Sequence, residues 1–404
     1  MRKSIRVTAI SAVLLGLLGF GWRGTADAAP AQTEIRMVTP VLTADNSYRN
    51  WDDPGYWVSQ GWFPDGITYR QVYAPIGSTI NTTWLVTDPA TKQPLPDTTV
   101  TLRVNKGYSV SNAKVRVGNS AVTTGIERTG IDQLRVTGKT DQYGYVTFEL
   151  VNLDDPKNGA EPQPAKFNQK AKTAGDNPMG DPNIALFTQL KPEILGEKND
   201  IVDFVEFHFY KPNGTDAPDL SNVKIKPLSP TFTPEDSIRR EGNFVKYGAA
   251  GKPMVLAYGV TDAQGQPVVG RDVEVTTNTA GSGGNAPVSA GTANATAAPT
   301  KWMVKTDAFG NAVMVLNNTV SKGEVKPSSL NAVPPTSGAI FARLQISVTG
   351  AGSLMSDTYD IHFFQTATIA PPAKKITIKC QKGTVIKRIT AVAPKCPSGY
   401  KKTK

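Results

Sequence analysis

Thr87–Asn105 reads TDPATKQPLPDTTVTLRVN, and Thr261–Asn278 reads TDAQGQPVVGRDVEVTTN. The two stretches align with one single-residue gap, and the likeness continues downstream. Lys139–Asn152 (KTDQYGYVTFELVN) matches Lys305–Asn318 (KTDAFGNAVMVLNN), and Glu206–Tyr210 (EFHFY) matches Asp360–Phe364 (DIHFF). Three blocks recurring in one order at similar spacing define an internal repeat of two units.

Within each block a turn adjoins a strand. Val100, Leu102 and Val104 alternate with Thr99, Thr101 and Arg103, and Val146, Phe148 and Leu150 alternate with Tyr145, Thr147 and Glu149; this period of two buries one face. In the Thr-Asp-x-x-Gly segments the Asp accepts backbone N–H bonds and the Gly supplies a left-handed backbone, so Asp141, Gly144, Asp307 and Gly310 are expected at equivalent hairpin turns. The chain is therefore expected to be all-β: two β-sandwiches in tandem and a small C-terminal disulfide-linked β-hairpin module.

The second unit carries Val260-Thr261-Asp262-Ala263-Gln264-Gly265-Gln266-Pro267-Val268 with Gly270 and Val273, then Thr306-Asp307-Ala308-Phe309-Gly310-Asn311-Ala312. This pattern resembles bacterial immunoglobulin-like domains of the invasin and intimin type. The first unit departs from it, placing Pro89–Pro96 in the first turn and a polar insertion at about 154–183. The resemblance implies that the two tandem sandwiches are immunoglobulin-like β-sandwiches with a structural or adhesive role.

At 404 residues with 39% apolar and 19% charged side chains, the chain is long enough for two to three folded domains. Its 36 glycines and 30 prolines favour turns over long helices. Arg2, Lys3 and Arg6 precede an apolar run from Ala9 to Phe20 and then Ala26-Asp27-Ala28, the layout of a secretory signal peptide over 1–28. No later stretch has the length of a membrane-spanning helix. The expected organisation continues with an aromatic-rich segment at 29–69, the first sandwich at 70–212, a linker at 213–239, the second sandwich at 240–367, a proline linker at 368–373 and a basic module at 374–404.

The net charge of +10 is unevenly distributed. Residues 374–404 hold ten basic residues and no acid: Lys374, Lys375, Lys379, Lys382, Lys387, Arg388, Lys395, Lys401, Lys402 and Lys404. Residues 1–28 hold four basic residues and one acid, which leaves the body with 30 basic against 33 acidic side chains. Such a tail is expected to attract an anionic cell-envelope polymer, the first polyanion an exported protein meets, rather than nucleic acid. The module resembles a short terminal module of secreted actinobacterial proteins. Its Cys380 and Cys396 are the only cysteines; two thiols do not complete a zinc site, and a disulfide is the leading reading over free thiols.

Trp51, Trp57 and Trp62, with Tyr48, Tyr56, Phe63 and Tyr69, place seven aromatics in 22 residues. They read either as rings packed against the first sandwich or as a platform for a surface glycan. His208 and His362 occupy matching strand positions; alternation points them outward, beside Glu206 and Asp360. The segment Asp176–Asn183 has oxygen ligands at intervals that suit calcium and equally a polar loop. No nucleophile elbow, phosphate loop or cofactor motif is present. The expected function is that of a non-catalytic extracellular protein, secreted or cell-surface, with structural or adhesive sandwiches retained by the basic tail, and with another surface protein as a further partner. The alternatives are a carbohydrate-binding protein and, lower in order, a hydrolase with accessory sandwiches.

Overall fold

The computed structural model describes residues 32–43, 47–49, 67–105, 111–123, 134–157, 161–164, 186–195, 198–214, 219–230, 237–240, 243–291, 293–323, 339–351, 357–365, 376–383, 385–391 and 395–403. Every regular element among them is a β-strand. The expected signal peptide, Trp51, Trp57, Trp62, the 176–183 segment, Lys374, Lys375 and Lys404 lie outside the described residues.

The first unit comprises β1 (Gln32–Thr39), β2 (Ser47–Arg49), β3 (Ile67–Pro75), β4 (Thr79–Thr87), β5 (Thr99–Val104), β6 (Val115–Val117), β7 (Leu134–Lys139), β8 (Tyr145–Asn152), β9 (Glu161–Pro162), β10 (Leu186–Glu193) and β11 (Lys198–Lys211). One layer runs β6-β8-β4, the other β3-β11-β10-β5-β7. They face each other across a core that includes Ile80, Trp84, Leu102, Phe148, Phe207 and Phe209. β1 joins the layers, pairing antiparallel with β4 and parallel with the start of β11.

The second unit repeats this plan with β12 (Lys224–Ser229), β13 (Ser237–Arg240), β14 (Asn243–Ala249), β15 (Met254–Thr261), β16 (Asp272–Thr277), β17 (Val288–Ala290), β18 (Thr300–Lys305), β19 (Asn311–Asn318), β20 (Phe341–Val348) and β21 (Asp357–Phe364). Its layers run β12-β15-β19-β17 and β13-β14-β21-β20-β16-β18, so each strand has a counterpart in the first unit. His208 on β11 and His362 on β21 therefore sit on equivalent strands, each pairing in parallel with β3 or β14.

Both sandwiches begin earlier than the expected boundaries. β1 lies inside the segment set apart as 29–69, and β12 and β13 lie inside the 213–239 linker. These strands join through backbone pairing. β12 carries a proline at position 227 and little alternation, so periodicity did not mark it. Beyond the second unit, β22 (Ile376–Lys382), β23 (Val385–Ala391) and β24 (Lys401–Thr403) form a three-stranded sheet with β22 central, one strand more than the expected hairpin.

The two Thr-Asp-x-x-Gly turns form, but as links between the layers and not as hairpin tips: β7 pairs with β5 while β8 pairs with β4 and β6, and β18 pairs with β16 while β19 pairs with β15 and β17. Their geometry shows why glycine ends them. Gly144 and Gly310 have φ of 78° and 72°. A Cβ at either would also lie 2.6 or 2.5 Å from the carbonyl oxygen of Val86 or Val260. That oxygen belongs to a neighbouring strand and has no slack. Gly265, at φ 82°, faces open space. Gly310→Ala is therefore expected to destabilise the protein by about 2 kcal/mol or more in urea unfolding, and Gly265→Ala by about 1 kcal/mol; equal effects would contradict the close approach.

Candidate functional site

The same two turns hold the sandwiches together. Asp141 Oδ1 accepts the backbone N–H groups of Tyr143 (2.8 Å) and Tyr145 (2.9 Å), which shapes its own turn. Its Oδ2 crosses to the second unit and accepts the Val255 N–H at 2.7 Å. Asp307 does the same in reverse: Oδ1 accepts from Phe309 (2.9 Å) and Asn311 (2.8 Å), and Oδ2 accepts the Asn81 N–H of the first unit at 2.7 Å. Asn81 and Val255 are themselves equivalent, each four residues after a glycine, Gly77 or Gly251, whose N–H is held by Asn152 or Asn318. The turn of each sandwich thus docks on the start of β4 or β15 of the other, an internal two-fold arrangement.

Apolar side chains complete the contact. The turns read Asp-Gln-Tyr-Gly and Asp-Ala-Phe-Gly. Ala308 is buried in the core of the first unit and Phe309 packs beside it, 6.3 Å from the Phe207 ring. Tyr143 packs against the core of the second unit and lies under the buried Lys246 ammonium, 4.8 Å from the ring centroid. Thr79 O accepts the Ala308 N–H at 3.0 Å. On the other side the Gln142 amide takes that role, accepting from Ala249 N and donating to Pro253 O at 3.3 Å. A Lys252–Asp97 ion pair at 2.9 Å stands at the solvent rim and adds little.

Both carboxyls are buried, with 3% exposure. Burial pushes Asp141 and Asp307 up to about 6, against the pull of three backbone N–H bonds each and, at Asp141, of the Lys246 charge. By contrast Asp262 Oδ1 accepts from Gln264 and Gln266 and, among the described residues, serves only its own turn.

The histidines require a correction. Alternation does place them opposite Phe207, Phe209, Ile361 and Phe363, which face the cores. That second face is not open, and both histidines have only 1% exposure. His208 stacks on Phe187 at 5.1 Å with Tyr73 at 6.0 Å, and His362 stacks on Phe341 at 5.1 Å with Tyr247 at 6.1 Å. Aromatic neighbours on the flanking strands cover each imidazole. Glu206 reaches His208 Nε2 at 3.1 Å, whereas Asp360 binds Arg343 through two bonds of 2.6 Å. The repeated position is thus a packing position with two different polar settings.

In the C-terminal sheet Cys380 and Cys396 are bonded, with 5.6 Å between Cα atoms. The bond ties the 395–400 segment to β22, and Lys387 lies 5.1 Å above the Tyr400 ring. Lys379, Lys382, Lys387, Lys395, Lys401 and Lys402 are exposed. The register sets Lys379 opposite Arg388. Thus the structure separates two features: a buried lock between the sandwiches and an exposed basic sheet. The Asp and Gly of each turn are legible in the sequence; that the turn crosses from one layer to the other, and that it docks on the neighbouring sandwich, is not. An aromatic in both turns, Tyr143 and Phe309, was the available signal.

No family model matches the chain, and no curated protein matches it in sequence. Among solved structures, the chain aligns with the FdeC adhesin of Escherichia coli (11% identity, 72% of this chain and 61% of that one, TM-score 0.19). It also aligns with the Yersinia pseudotuberculosis adhesin InvE (10% identity, 77% and 64%, TM-score 0.22) and with domains 5–6 of the S-layer protein SbsC (14% identity, 73% and 93%, TM-score 0.29). The chain spans less than two thirds of the length of either adhesin. With TM-scores this low, the architecture rests on the strand order of this chain.

Two outcomes follow from the lock. Tyr143→Ala with Phe309→Ala removes both rings and leaves the Asp-centred turns intact. Docking is expected to weaken by about 2–4 kcal/mol, seen as a longer maximum dimension in small-angle X-ray scattering and faster proteolysis between the sandwiches; an unchanged scattering profile would refute the lock. For pH, a carboxyl at about 6 when folded and near 3.8 when unfolded binds its proton more tightly in the native state. Its contribution is therefore largest below about pH 4 and is lost as the pH rises through about 6, by up to about 3 kcal/mol per site. Asp141→Asn with Asp307→Asn should flatten that part of the stability profile in urea unfolding.

Proposed function

We propose that this is a non-catalytic structural or adhesive protein of the bacterial surface, in which two sandwiches act as one rigid body and a separate basic module keeps that body at the envelope. The reciprocal lock is the observation that carries the reading. A flexible pair of beads needs no charged groups between them, whereas here each sandwich commits one carboxylate oxygen and a ring-bearing turn to the other. The titratable residues singled out by the repeat, Asp141, Asp307, His208 and His362, are all buried in such structural contacts. Rigidity suits a spacer or adhesin, because a stiff body holds its outer surface at a fixed distance and loses little entropy when it binds.

The module supports retention. Its described lysines are exposed and its stretch of chain contains no acid to neutralise them, so an anionic component of the envelope is its proposed partner. Export through the 1–28 signal peptide belongs to the same reading. A surface glycan bound by Trp51, Trp57 and Trp62 remains the alternative partner.

Salt sensitivity separates charge-based retention from covalent attachment. Native cells washed at rising ionic strength are expected to release the protein as screening shortens to about 3 Å at 1 M salt. A chain ending at residue 373 is expected in the medium even at low salt. Full envelope retention of that truncated chain would remove the module from the role and leave adhesion to the sandwiches.

A further inference from the structure

The tip of the C-terminal hairpin carries a feature that charge attraction alone does not use. β22 and β23 turn back tightly, with Lys382 paired to Val385 and Gly383 at φ 59°. Just past the turn Val385 and Ile386 are 52% and 58% exposed. Consecutive strand residues stand on opposite faces, so the pair presents apolar surface on both sides of one projecting tip. These two side chains are largely in solvent, whereas Ile378 and Cys380, further back on β22, are buried.

Cations surround that tip. Lys382 and Lys387 flank it, and Lys379, Lys401 and Lys402 lie behind on the adjoining strands, all exposed. Cys380 sits between Lys387 and Lys402 across the sheet, and Lys379 lies opposite Arg388. Like charges across neighbouring strands destabilise a sheet, and residues 374–404 contain no acid to offset them. The disulfide holds this unfavourable charge density in one shape. A soluble polyanion would be satisfied by the lysines and would leave Val385 and Ile386 in water. A bilayer with anionic headgroups offers both environments, phosphates for the ammonium groups and the acyl boundary for the aliphatic tip. Stable anchoring by such weak elements takes both signals together.

We propose that the β22–β23 tip docks on an anionic lipid surface, with Val385 and Ile386 entering the headgroup–acyl boundary and the surrounding lysines resting on lipid phosphates. The assignment rests on the retention reading above and names the partner for it.

The test uses the full exported chain with its disulfide intact, sedimented with vesicles of phosphatidylcholine with or without phosphatidylglycerol. Binding is expected only with phosphatidylglycerol, and it should weaken as salt rises. Val385→Ser with Ile386→Ser should lower the affinity about tenfold at constant charge. Lys379→Gln with Lys401→Gln should lower it as well. Since all four side chains are exposed, thiol titration suffices to confirm that each variant keeps its staple. If the serine variant binds as tightly as the parent, or if the parent ignores phosphatidylglycerol vesicles yet binds soluble polyphosphate, the tip is not a lipid anchor. Salt-sensitive retention on cells would then survive with a polymer as partner. Vesicle binding by the intact chain, combined with undiminished envelope retention of the chain ending at 373, would instead uphold the lipid assignment and overturn the retention reading.

Discussion

Two carboxylates, Asp141 and Asp307, each divide their oxygens between a turn and a neighbouring sandwich, and the arrangement of the whole body depends on that division. One oxygen organises a turn from within its own sequence. The other reaches a strand more than a hundred positions away. Because both units carry the same device, the contact closes on itself, as an isologous interface does between identical subunits. Here the two partners share one chain, so each need not find the other by diffusion.

The duplicated units have diverged where the contact allows it. Gln142 uses its side-chain amide to reach Pro253 O, and Ala308 uses its backbone N–H to reach Thr79 O. Tyr143 lies under Lys246, while Phe309 meets Phe207. Burial of the two carboxyls opposes the bonds that they make, and the aromatic rings supply apolar contact beside each of them. Water is kept from the hydrogen bonds by the same rings, which makes an unpaired group there more costly.

The sheet that follows the second sandwich obeys different rules. It is small and highly basic, and a disulfide does what a larger core does elsewhere. Its charges remain in water, where they are available to a partner, whereas the charges of the lock are withdrawn from solvent. The molecule thus places its intramolecular and outward-facing electrostatics in separate modules.

Sequence alone determined the all-β class, the duplication, the Asp and Gly of both turns, the cysteine pair and the location of the excess charge. Each of these is local: period-two alternation, a glycine's left-handed backbone and the count of acids in a segment do not depend on distant residues. It did not mark β1, β12 or β13, which join their sheets by backbone pairing and carry too little apolar alternation to stand out. Nor could alternation reveal that Phe187, Tyr73, Phe341 and Tyr247 cover the histidines, because those rings arrive from other strands. The lock was decided only in three dimensions. A turn that reads Asp-x-aromatic-Gly is complete by itself, and nothing in its own residues says that it crosses between layers or that the second carboxylate oxygen and the ring belong to the other sandwich.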